Sequence, residues 1–191
     1  MNKNIAILHE GNNKKTQDNE LIKLLINYLK LDCNQVEFFG MCSKSNFFKQ
    51  DYIEYKKLKP MVESNEIEKI LFIIDADDEK NDKVYGGYNN TENALLDMIN
   101  KLCFSAISDF YIMCDPVNKT GYLESFILST LPEKQKHCIE QFLECSEFKS
   151  KENHKAIVHS IYRMAYPEAP YNFEHSNFDL LKIRLTNLFS G

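Results

Sequence analysis

The chain has 191 residues, 43% hydrophobic and 27% charged, which is enough apolar material for a real core and too much for a disordered segment. Its 28 acidic and 23 basic residues leave a formal charge of −5, which argues against gripping nucleic acid by bulk attraction; only Arg163 and Arg184 offer a guanidinium for bidentate contacts. The six cysteines are scattered with no CxxC pair, no secretory segment is evident, and no apolar run reaches the roughly eighteen residues of a membrane span, so reduced, mostly buried thiols in a cytoplasmic protein are expected.

In chain order, residues 4–8 form a short apolar run that breaks into the polar, Gly-containing stretch 9–15, as a buried strand feeding a loop does. Leu21, Ile22, Leu24, Leu25, Tyr28 and Leu29 then recur at helical spacing, with Thr16, Asp18 and Glu20 supplying a polar start. Residues 36–39 read as a second strand closed by Gly40. The lysine-rich stretch 45–63 reads as one or two helices ended by Pro60.

Residues 70–74 form the strongest strand, a continuous apolar run typical of sheets covered on both faces, and it ends in Asp75-Ala76-Asp77-Asp78. A polar loop through Gly86-Gly87 leads to a helix over 90–102, and residues 110–114 make a fourth strand ending at Asp115-Pro116. Strands separated by helices imply βαβ units, hence an α/β fold with an open, mainly parallel four-stranded sheet flanked by helices. Beyond Gly121 only helices are expected, over 122–131, 133–145, 154–165 and 178–188. Residues 1–118 thus read as the α/β domain and 119–191 as a helical C-terminal extension packed on it, either a cap or an outer layer of the same sheet.

Ligands of parallel sheets gather beyond the carboxyl ends of the strands, and Glu10, Asp75 and Asp77 all fall there. Two aspartates one residue apart on an extended segment reach the same side. Three clustered carboxylates repel one another, and a hard divalent cation, Mg²⁺ or Mn²⁺, removes that repulsion. Asp78 extends the acidic run as a further possible ligand, whereas Glu79 and Asp82 read as a solvated face. His9 reads as a loop histidine at a strand end, and His154 and His159 as surface or core residues, their spacing not matching a zinc pair. Phe47, Phe48, Phe104, Phe110 and Tyr111 read as core before base-stacking platforms.

Strand-Glu-Gly over Ile5 to Gly11, followed by strand-Asp-x-Asp over Ile70 to Asp77, resembles the Toprim domain of topoisomerases, primases and OLD nucleases, and most closely small stand-alone Toprim-like proteins of the DUF3226 type. Asp18-Asn19-Glu20-Leu21-Ile22, Gly121-Tyr122-Leu123-Glu124 and the tail 151–188, with Lys155-Ala156 and the run Asn172 to Phe178, extend the likeness over most of the chain. In one place the pattern departs: Lys14 stands where that family has an aspartate, and a match needs a four-residue insertion ending at Asp18.

The resemblance implies Mg²⁺-dependent phosphoryl transfer or phosphodiester cleavage on nucleic acid, with an ATPase as a possible partner. Asp75 and Asp77 would hold the metal, with Glu10 as general base or further ligand. Asp18, Asp115 or Glu124 would serve a second ion, and Lys14, Lys15 and Lys155 would neutralise phosphate. A Toprim-like module that binds nucleic acid or protein without cutting is the non-enzymatic alternative. A nucleotide-sugar glycosyltransferase would use the Asp-x-Asp pair but leaves Glu10 without a role, and a haloacid-dehalogenase-like phosphatase would want Thr or Val where Glu79 stands.

Overall fold

The computed structural model describes residues 3–12, 16–146, 151–165 and 171–190. Four strands, β1 (Ile5–His9), β2 (Val36–Gly40), β3 (Lys69–Asp75) and β4 (Ser108–Met113), form one sheet in the order β2-β1-β3-β4 with every pair parallel. The fold is therefore α/β, as expected. The chain winds outward in opposite directions from β1 and β3, which makes the gap beyond their carboxyl ends the topological switch point where such sheets bind ligands.

Side chains alternate across this sheet and sort into two cores. Ile5, Ile7, Leu71, Ile73, Tyr111 and Met113 face α1 (Gln17–Tyr28), α5 (Leu123–Leu128), α7 (Lys151–Ala165) and α8 (Asp179–Phe189). Ala6, Leu8, Ile70, Phe72, Ile74 and Ile112 face α3 (Ile53–Glu63) and α4 (Tyr88–Leu102). Both faces are covered, so β3 tolerates its unbroken apolar run. The C-terminal helices share the core of α1, and α8 packs on β3 and β4; they are a layer of the same sheet rather than a detached cap. Among the described residues no helix is long and apolar enough to cross a membrane.

Two expectations need correction. The lysine-rich stretch splits into α2 (Lys44–Phe47) and α3, and Pro60 lies inside α3 instead of ending it. Pro60 cannot donate to the carbonyl of Lys56, but Lys56 is on the exposed face, where solvent can serve that oxygen, and the buried Tyr55 and Leu58 hold the helix down. The six cysteines are free, yet Cys42, Cys103, Cys138 and Cys145 are exposed and only Cys114 is buried. Cys103 sits in the left-handed turn that closes α4, and Cys138 and Cys145 lie on the outward side of α6 (Glu133–Cys145).

Candidate functional site

Because β1 and β3 are parallel neighbours in register, with His9 opposite Ile73, the residues after each strand arrive side by side. The Glu10 carboxylate crosses that short gap and accepts the backbone N–H of Asp75 at 2.8 Å. Asp75, the last residue of β3, keeps the alternation of its strand and turns towards α1 and α5; its Oδ1 accepts the N–H of Leu123 at 3.2 Å, at the start of α5. Glu10, Asp75 and Asp18, from the first turn of α1, line a narrow cleft of about 10 Å³ with Ile22, Ile73 and Met113. That is room for roughly one water-sized occupant.

Asp77 reaches the site by another route than strand alternation. Its φ of +56° takes the chain out of the extended conformation, and its backbone pairs antiparallel with Gly121, N–H to O at 2.6 Å one way and 3.0 Å the other. Gly121 itself has φ +91°, and a Cβ there would come within 2.3 Å of Ser125 Oγ, so glycine is demanded. This clasp ties the end of β3 to the loop leading into α5.

One site residue escaped the reading of the sequence. Lys44, at the start of α2 just beyond β2, is buried; its ammonium donates to the carbonyl of Ala76 at 2.6 Å and stands 3.7 Å from Asp77 Oδ2. The same carbonyl accepts Gly87 N–H at 2.9 Å and Thr91 Oγ1 at 3.3 Å, so β3, the Gly loop and Lys44 are knotted at one oxygen. Burial pulls the Lys44 ammonium below its ordinary value, while Asp77, Glu10, Asp75 and Asp82 pull it back up. All three expected acids thus lie within electrostatic reach of one buried cation. Lys44 belongs to a lysine-rich run, and its only sequence signal is its place four residues after the end of a strand, between the buried Met41 and Phe47.

Glu10 is strongly perturbed. Burial first, then the charge of Asp77, push it up to about 7, against the Asp75 N–H and Lys44, which pull it down. Its neighbour His9 is no loop residue: it ends β1, is fully buried edge-on to Phe38, and burial with the nearby charge of Lys23 lowers it to about 4. Neither ring nitrogen of His9 meets a hydrogen-bond partner among the described residues.

Other expected site residues are engaged elsewhere. Asp115 Oδ1 accepts the N–H groups of Val117 and Asn118, and Oδ2 lies 3.4 Å from Lys136 Nζ. Burial alone would raise it, but these partners bring it below the usual carboxylate range, and the group works as a turn former. Glu124 is buried and pairs with His159 Nε2 of α7 at 2.8 Å, which makes His159 a core residue and sets Glu124 apart from the residues lining the cleft. Asp82 is also no mere solvated face, since its Oδ1 caps Val84 and Tyr85 N–H, and Asp78 Oδ1 takes Lys80 N–H. Lys14 and Lys15 lie outside the described residues, as does the side chain of Lys155.

Among the described residues no three His, Cys, Asp or Glu side chains stand grouped as a ready metal-ligand set. The chain matches no family model, no curated protein and no solved structure.

Proposed function

We propose that this chain performs Mg²⁺- or Mn²⁺-dependent phosphoryl transfer of the Toprim-like kind, cleaving phosphodiesters of nucleic acid at the Glu10, Asp75 and Asp77 cluster. The observation that carries the reading is the 2.8 Å bond from the Asp75 backbone to the Glu10 carboxylate, which joins the ends of two adjacent parallel strands at the switch point. The donors there are all oxygen and carry more negative charge than Lys44 offsets, which fits a hard cation. Mg²⁺ is commonly held by one or two carboxylates with water and phosphate completing its shell, so a preformed three-ligand cage is not required.

A bound ion would polarise a phosphate and acidify a water. Glu10, poised at about 7, is suited to accept a proton near neutral pH. Asp75, fixed by Leu123 N–H, and Asp77, fixed by the Gly121 clasp, would hold the ion. Lys44, buried beside Asp77, offsets part of the carboxylate charge. Glu10 gives the site a member for which an Asp-x-Asp glycosyltransferase has no use.

A second reading, a module that binds nucleic acid or protein without cutting, is favoured by one observation: Lys44 already neutralises part of the acid cluster without any metal. Two measurements separate them. Calorimetric titration with Mg²⁺ and Mn²⁺ should give binding in the parent that Asp75→Asn and Asp77→Asn weaken at least about tenfold. Supercoiled plasmid or single-stranded DNA should be nicked with Mn²⁺ and left intact with chelator; metal binding without nicking supports the binding module, and equal metal affinity in parent and variants removes the site.

A further inference from the structure

Along the outer edge of β4, which pairs with no further strand among the described residues, runs a cavity of about 260 Å³, distinct from the acid cleft, floored by β4 and walled by α4 on one side and α8 on the other. We propose that it binds a purine nucleotide of the adenine type, a ring with an amino donor beside a nitrogen acceptor and a phosphate at the far end.

The floor sets the chemistry. Ile70 N–H bonds to Ile107 O and Ala76 N–H to Met113 O, so the odd residues of β4 spend their backbone groups on β3. Alternation aims those of Phe110 and Ile112 at the open edge. The carbonyl of Phe110 and the N–H of Ile112 are two residues apart on one side of an extended strand, an acceptor beside a donor. An adenine ring presents the complement on its Watson–Crick edge.

The walls suit a flat ring. Tyr88 of α4 and Phe110 lie on one face of the sheet and Leu180 of α8 on the other, so a ring lying in line with the sheet meets an aromatic wall and an aliphatic one. Beyond the carboxyl end of β4, Lys119 holds its ammonium 4.8 Å from the Tyr88 ring centroid and remains exposed, placed to meet a phosphate. The volume accommodates a bicyclic base with sugar and falls just below the usual range of larger ligand sites.

An added peptide strand is the rival occupant of a sheet edge, but the edge is partly closed against it. Asp109 Oδ1 takes the Phe110 N–H at 2.8 Å, and Arg184 Nη1 clamps that carboxylate at 2.7 and 2.6 Å. A strand needs the Phe110 donor for its ladder; an adenine edge does not.

The test is calorimetric titration of the full chain with AMP in the presence of EDTA, which keeps the outcome independent of the metal site. AMP should bind, and N6,N6-dimethyl-AMP, which lacks the amino donor, should bind at least about tenfold more weakly. Leu180→Trp, at a half-exposed position that can fill the cavity, should remove AMP binding without lowering the melting temperature. Lys119→Gln, on an exposed turn, should weaken AMP about threefold or more and leave adenosine unchanged. The proposal is overturned by no AMP heat, by equal affinity for the dimethylated ligand, or by binding that a folded Leu180→Trp retains. It is equally overturned if a peptide copying residues 108–113 binds in place of AMP.

Discussion

Glu10→Gln isolates the charge of the central carboxylate, because the amide oxygen can still accept the Asp75 N–H that the carboxylate accepts at 2.8 Å. In the unfolded chain this acid loses its proton near 4.5, in the folded chain at about 7. Between those values the folded state holds the extra proton, so the group's contribution is fully present below about pH 4.5 and is lost as pH rises through about 7. The shift corresponds to a cost to the fold of about 1.4 kcal/mol at about pH 5.5 and roughly 3 at about pH 8. The cleft is partly open to solvent, which reduces the difference of about 2 kcal/mol to about 1.

Glutamine has no such dependence. In chelator, Glu10→Gln should therefore gain about 1 kcal/mol more over the parent at about pH 8 than at about pH 5.5, or about 2–4 °C in Tm for a chain of this size. Circular dichroism melts of both proteins at both pH values measure it directly. Mg²⁺ should raise the parent's Tm at the higher pH, where the carboxylate is ionised, and do little for the variant. A parent and variant whose melting temperatures move in parallel with pH would refute the claim that Glu10 carries an unfavourable charge awaiting a cation.

Lys44→Met should lower stability by about 1–3 kcal/mol by stranding the acids beside it, and Mg²⁺ should restore more to this variant than it adds to the parent in thermal melts. An equal Mg²⁺ increment in the two would show that Lys44 and the metal do not serve the same charges. Asp115→Ala should cost about 1 kcal/mol at neutral pH through the lost caps of Val117 and Asn118, while Mg²⁺ titration stays unchanged. Because the folded Asp115 is held below the ordinary carboxylate range, that cost is fully present above this range and is lost as pH falls beneath it, through the lowered value of the folded state, which urea denaturation at several pH values would reveal. Gly121→Ala, forced to keep φ near +91° with a methyl against Ser125, should cost about 1–2 kcal/mol and weaken Mg²⁺ binding by loosening Asp77; unchanged metal affinity would separate the clasp from the site.

What could be seen in the chain beforehand follows the range of the forces involved. The strands were legible because the apolar run of β3 and the shorter runs of β1, β2 and β4 are local signals, each broken by a polar or Gly-bearing loop. The convergence of Glu10 and Asp75 was legible because parallel topology constrains which strand ends face the same edge, so position in sequence stood in for position in space. That substitution fails one residue past the strand. Alternation assigns Asp77 its side, a rule valid only for extended backbone, yet Asp77 is held at φ +56° by a partner 44 residues away. Side-chain pairings fail in the same way: neither Glu124 with His159 nor Asp115 with its own turn differs in residue type from a metal ligand. Lys44 is the sharpest case, for a solvated and a buried lysine read identically until the Ala76 carbonyl and Asp77 stand beside it. A buried ammonium is costly unless carboxylates compensate it, so Lys44 and the acid cluster each account for the other's placement, and neither alone marks the site as fully as the pair.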